Sequence, residues 1–163
     1  VEFEKFKTVP SVLNGVNFKI VVNRPLNKES SFDPEELQRF GWRLLEPAAT
    51  VADASAYKDF ILQSTAEFSV AKETYVKANS GWFSCRSACY LAAGKPVVTE
   101  ETGWSKYLPA GEGLFSFDTM EAAVDAIHQI NANVGFHSKM AKEIAAANFD
   151  CNKVLAQMLQ QLN

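Results

Sequence analysis

The residues Ser80-Gly81-Trp82-Phe83-Ser84-Cys85-Arg86 put a glycine and two hydroxyls just ahead of a small, apolar run that closes on Gly94-Lys95-Pro96. Such a run predicts a buried helix with Ser84 as its N-cap, a C-terminal glycine and a proline stop. The free amides and partial positive charge of a helix N-terminus suit an anion such as phosphate. Arg86, in the first turn, adds a guanidinium that can grip a phosphate or carboxylate with two parallel bonds. The plainer alternative is that Ser84 is only a cap and Arg86 a structural or solvated arginine. Neither a GxGxxG nor a Walker motif is present to decide between them.

Two further groups carry chemistry. Lys72-Glu73 follows a strand candidate at 66–70, where Lys72 can neutralise a diphosphate or simply pair with a nearby carboxylate. Thr99-Glu100-Glu101-Thr102-Gly103 supplies hydroxyls, carboxylates and a glycine for close backbone approach. Adjacent residues of an extended segment point in opposite directions, which argues against a cooperating acid–base pair and suits a sugar-hydroxyl contact by one of them. Cys85 and Cys89 share a helix face, but zinc needs two more ligands, and His128 and His137 lack the spacing. Buried cysteine acting as a small apolar residue is the default, with a reactive thiol at Cys85 the sharper option. His128 reads as a helix-surface histidine. No Ser-His-Asp or Cys-His arrangement is present, so no catalytic residue is assigned.

The elements that must hold these groups alternate. Strands are expected at 18–22, 42–45, 66–70, 96–99 and 114–117, from short apolar or β-branched runs between turn residues. Asn23, Pro25 and Asn27 open a polar loop. Asp33-Pro34-Glu35-Glu36 is a helix start, with Asp33 as cap, Pro34 at the first position and Glu36 able to reach back. Thr50 is expected to cap a helix through Leu62, and 71–79 to be a short helix or turn. Asp118 with Glu121 reads as a capping pair, followed by a stripe of Met120, Val124, Ile127 and Ile130. A second stripe holds Phe136, Met140, Ile144 and Ala145. Asp150 caps a last helix with Val154, Leu155, Met158, Leu159 and Leu162 inward. This order predicts an α/β fold: a Rossmann-like, doubly wound sheet of about five parallel strands, ordered 3-2-1-4-5, with a C-terminal helical tail. A site would then form from the loops after Val22, around Ser80 to Ser84, and from Thr99 to Gly113.

A chain of 163 residues, 47% apolar and 21% charged, fits one domain over 1–163 and excludes a disordered or fibrous class. A net charge of −3 with scattered lysine and arginine gives no nucleic-acid surface. No apolar run reaches the roughly 18 residues of a membrane span, and no charged-then-apolar signal opens the chain. Three cysteines form no even framework and point to a reducing, cytoplasmic setting. Val1 in place of Met suggests a piece of a longer chain.

The stretch FSVAKETYVKANSGWFSCRSACYLAAGKPVVTEETGW (68–104), with LPAGEGLFSFDTMEAAVDAI (108–127), resembles the C-terminal, donor-binding half of bacterial glycosyltransferases of the GT-B fold. The tail ANVGFHSKMAKEIAAANFDCNKVLAQML (132–159) looks like the usual ending, and the resemblance spans about 18–162. It implies a domain that holds a nucleoside diphosphate sugar as substrate, without metal or other cofactor. An N-terminal acceptor domain would face it; residues 1–17, partly leader, are too few to replace that domain, so the fragment would be inactive alone. Carried over by position, Ser80, Gly81, Ser84, Arg86, Thr102 and Gly103 would lie near the donor, and Lys72 would contact the diphosphate. Two positions depart from the pattern: Cys89 stands where many relatives carry a glutamate, and Cys85 where an acidic residue is usual. The alternative is a non-enzymatic, Rossmann-like module that binds a nucleotide or docks on another protein. The resemblance specifies neither sugar, base, acceptor, stereochemical outcome nor oligomeric state.

Overall fold

A computed structural model describes residues 2–23 and 33–161 of the chain. It divides into two compact units, Val1–Gln63 and Ser64–Asn163. Among the described residues no helix is long and apolar enough to cross a membrane.

The first unit runs α1 (Glu2–Phe6), α2 (Val9–Val12), β1 (Phe18–Val21), α3 (Pro34–Arg39), β2 (Trp42–Leu45), α4 (Pro47–Thr50) and α5 (Ala54–Gln63). Residues read from the sequence as partly leader form α1 and α2, and Phe6, Val9 and Leu13 are buried. β1 and β2 pair in parallel, with Phe18 opposite Trp42 and Val21 opposite Leu45. Trp42 anchors this unit: its ring meets Phe3 and Phe18 at 5.6 and 5.3 Å, and its indole N–H donates to the Lys7 carbonyl at 2.7 Å. A buried indole is satisfied in this way at no cost in apolar contact.

The Asp33 cap and Pro34 stand as expected, the Asp33 carboxylate accepting the Glu35 and Glu36 amides. Glu36 does not reach back; its carboxylate takes the Lys7 ammonium at 2.8 Å. Thr50 does not cap a long helix. It ends the single turn of α4, and the Asp53 carboxylate accepts the Ala56 amide at the start of α5. Most of the expected polar loop, including Pro25 and Asn27, lies outside the described residues.

The second unit runs β3 (Glu67–Ser69), α6 (Glu73–Lys77), α7 (Cys85–Ala92), β4 (Val97–Glu100), a single 3-10 turn at Trp104–Lys106, β5 (Leu114–Phe117), α8 (Met120–Ala132), α9 (Val134–Asn148) and α10 (Cys151–Gln160). Its sheet is parallel, in the order β3-β4-β5, with Phe68 opposite Val98 and Val98 opposite Phe115. All four residues of β4 are buried, as befits a central strand covered on both faces.

The five expected strands are therefore present, but they form two parallel sheets, β1-β2 and β3-β4-β5, in place of one five-stranded sheet ordered 3-2-1-4-5. That order needs strand 1 beside strand 4 and strand 3 beside strand 2. The pairs that do form, β1-β2, β3-β4 and β4-β5, each join strands consecutive in sequence, which is the commoner outcome.

The helices correct several other expectations. α7 is not buried all round: Ser87, Tyr90 and Leu91 are buried, while Cys85, Arg86, Cys89 and Ala92 are exposed. Its end is as read, since the Gly94 amide bonds to the Leu91 carbonyl and the Lys95 amide to the Tyr90 carbonyl, both at 2.9 Å. Thr119, not Asp118, caps α8 by accepting the Ala122 amide. α8 buries Ala123, Ala126, Ile127 and Ile130, and α9 buries His137, Ala141, Ile144 and Ala145. Phe136 of the expected second stripe is exposed. Asp150 caps α10 as expected, but Val154, Leu155, Met158 and Leu159 are 36 to 63% exposed and not inward; Leu162 lies outside the described residues.

α9 crosses so close to the start of β5 that a Cβ on Gly113 would lie 2.5 Å from the Ala141 amide nitrogen and 2.8 Å from the His137 carbonyl oxygen. The Gly113 amide donates to His137 Nδ1 at 3.2 Å. Gly111 shares the left-handed conformation but has nothing within 4 Å of such a Cβ. Gly111→Ala should cost only the backbone strain, about 1–2 kcal/mol. Gly113→Ala should cost clearly more, because rigid backbone must move; urea unfolding of both variants checks the order.

Candidate functional site

The carboxyl ends of β3 and β4 lie next to the N-terminus of α7, and three loop segments close over them. Glu100, the last residue of β4, is buried, and its Oε2 accepts the Ala71 amide just beyond β3 at 2.9 Å. The Gly81 amide donates to the Thr102 carbonyl, and the Thr102 hydroxyl donates to the Trp82 carbonyl, both at 2.6 Å. The Trp104 indole N–H donates to the Glu100 carbonyl at 3.1 Å, and its buried ring meets Phe83 edge-on at 5.6 Å. Phe83 stacks in turn on Phe149 at 5.7 Å. These bonds turn three irregular segments into one fixed rim.

Of the residues picked from the sequence, Ser80, Gly81, Ser84, Arg86, Thr102 and Gly103 all belong to this rim. Thr102 and Gly103 are buried in it, and a Cβ on Gly103 would lie 2.5 Å from Asn79 Oδ1. Ser84 is buried, and its hydroxyl accepts the Arg86 amide at 3.2 Å as the cap. The Ala88 amide is the first to bond back into the helix, to the Ser84 carbonyl. The amides of Cys85, Arg86 and Ser87 therefore precede the helical ladder. Ser80 is exposed, and Lys72 is the exposed residue that leads into α6. The third expected loop, after Val22, belongs to the first unit, and residues 24–32 lie outside the described residues.

Arg86 is more committed than the sequence suggested. Its Nε donates to Glu67 Oε1 at 2.5 Å and its Nη2 to the Ser69 hydroxyl at 2.8 Å. Glu67 is only 5% exposed, whereas the Arg86 side chain is 48% exposed. Cys85 and Cys89 are free and exposed, which corrects the buried default, and among the described residues no three His, Cys, Asp or Glu side chains gather to hold a metal ion. His128 is exposed, as read. Glu100 and Glu101 do point apart. Glu101 accepts the Gly103 amide and the Ser116 hydroxyl while Glu100 turns to Ala71.

No protein-family model matches the chain, and no curated protein or solved structure matches it. Sequence reasoning missed Glu67 and Tyr75. Glu67 was legible as a charge inside an expected strand, a position that needs a partner. Tyr75 stacks on Trp82 at 4.8 Å, and nothing in the spacing of the two signalled that.

Two predictions follow from these contacts. Arg86→Met should leave the buried Glu67 carboxylate unpaired and destabilise by about 1–3 kcal/mol, whereas Glu67→Met with Arg86→Met should cost less than the two single changes added. Urea unfolding in a double-mutant cycle measures the difference. Burial pushes the Glu101 carboxyl upward, but bonds from Ser116, Ser105 and the Gly103 amide outweigh it and hold the group below its ordinary value of 4.5. Its stabilisation is thus present above about pH 4.5 and lost as pH falls through the lower folded value. The stability gap between the native chain and Glu101→Gln should narrow in that acid window, followed by urea unfolding at several pH values.

Proposed function

We propose that this chain is the donor-binding half of a glycosyltransferase, which moves a sugar from a nucleoside diphosphate sugar to an acceptor. The observation that carries the reading is the first turn of α7, standing beside the carboxyl ends of two parallel strands with Cys85 and Arg86 exposed. Ligands of open α/β sheets bind at that edge. Cleavage of a sugar–diphosphate bond builds negative charge on the departing diphosphate. The α7 amides, the exposed Lys72 ammonium and the outer part of the Arg86 guanidinium supply positive potential there. The fixed rim lowers the cost of holding the donor in a reactive pose. The three free, exposed cysteines fit a reducing, cytoplasmic setting. The acceptor would be held by a separate domain facing this one.

A second reading, a non-enzymatic interaction module, is favoured by the exposed apolar side chains of α10, which suit a protein partner. Titration of uridine or guanosine diphosphate into the isotope-labelled chain separates the two. The donor reading expects amide NMR shifts at residues 80–86 and 102–103. Spectra that stay silent at millimolar nucleotide would overturn it and leave the interaction module.

A further inference from the structure

Tyr107 is the most exposed large aromatic or apolar side chain among the described residues, at 76%. It does not sit on a loose tip. Its amide bonds to the Trp104 carbonyl at 2.9 Å, and the next amide, of Leu108, bonds to the same carbonyl at 3.2 Å. Trp104 is itself buried and tied to Glu100. The ring edge of Tyr107 lies over Gly81, where an added Cβ would be 3.3 Å from Cε2. Gly81 has a φ of +73°, a conformation that favours glycine, and its amide is held by Thr102. The backbone on both sides of this contact is therefore fixed, while most of the ring faces water.

We infer that Tyr107 is a stacking face for the nucleobase of a nucleoside diphosphate whose phosphates lie at the start of α7. The inference rests on the donor reading above. Gly81 precedes Ser84 by three residues, so the ring stands near a point within about 11 Å of Ser84, the N-cap of α7. A diphosphate and a ribose bridge a gap of that order. An exposed ring on a clamped backbone loses little freedom when a planar ligand covers it, and an aromatic face accepts any base. Tyr75 and Trp82, stacked on each other beside Gly81, extend the aromatic surface at the same edge.

The test compares the native chain, Tyr107→Ala and Tyr107→Phe for uridine diphosphate, guanosine diphosphate and inorganic pyrophosphate by calorimetry. Trp82 fluorescence serves as a second readout, since Trp42 and Trp104 are buried and Trp82 is not. Tyr107→Ala is expected to weaken the nucleotide that binds by about tenfold or more, with pyrophosphate affinity unchanged and Tyr107→Phe close to native. Equal nucleotide affinity in Tyr107→Ala and the native chain would overturn the stacking role while leaving the donor reading intact. A loss of the same size for pyrophosphate would overturn it too, by showing that the ring acts through the rim. A native chain that binds neither nucleotide would overturn this inference and the donor reading together.

Discussion

A buried carboxylate at the end of the central strand fixes the geometry of the second unit's carboxyl edge. Glu100 has little access to water, so its charge must be answered by protein donors, and the Ala71 amide is one of them. That bond ties the chain leaving β3 to the chain leaving β4. Its carbonyl also receives the Trp104 indole, which pins the next loop to the same residue. From this point the order of events along the rim is set: Trp104 is held under Phe83, Thr102 is brought to Gly81 and Trp82, and the turn into α7 cannot drift from the sheet. Removing one donor from such a network costs more than an average surface bond, because a charged group would be left buried.

Local signals in the sequence were read well where one residue decides the outcome. Asp33 and Asp150 cap the helices assigned to them, Gly94 and Pro96 end α7, and strand β2 has the expected bounds of 42–45. Faces were read less well. In α9 the large apolar residues Phe136 and Met140 suggested one stripe, yet the inner face is His137, Ala141, Ile144 and Ala145. Alanines allow α9 to approach the Gly113 backbone, which no bulky stripe could do. The same preference for size over fit missed Ala123 and Ala126 in α8. Pairing between strands was least legible, because neighbour choice depends on connections and packing that composition does not encode.

The candidate site was legible in position and only partly in chemistry. Six of the seven residues chosen lie along one rim because glycine and hydroxyl residues cluster where backbone must turn tightly and be satisfied locally. The same preference explains why most of them are used up inside the rim. Thr102 and Ser84 spend their hydroxyls on Trp82 and Arg86, so they shape the site more than they face a ligand. Glu101 likewise closes its own turn through Gly103 and reaches Ser116 on β5.

Arg86 shows how far one residue can serve both demands. A guanidinium has five N–H donors in a rigid fork, and Glu67 and Ser69 occupy an Nε and an Nη2 donor. The ion pair offsets most of its charge, so an anion beside α7 would meet a weaker field than a solitary arginine gives. Yet the same pair locks the side chain in one orientation, with nearly half of it in water. The balance shifts the electrostatic burden toward the fixed amides of Cys85 and Ser87 and toward Lys72. Amides carry no counter-ion and need no reorganisation when charge develops, so under the proposed donor reading they would serve a leaving diphosphate better than the paired guanidinium. On that reading the helix start, and not the arginine within it, would be the chemical centre of the rim.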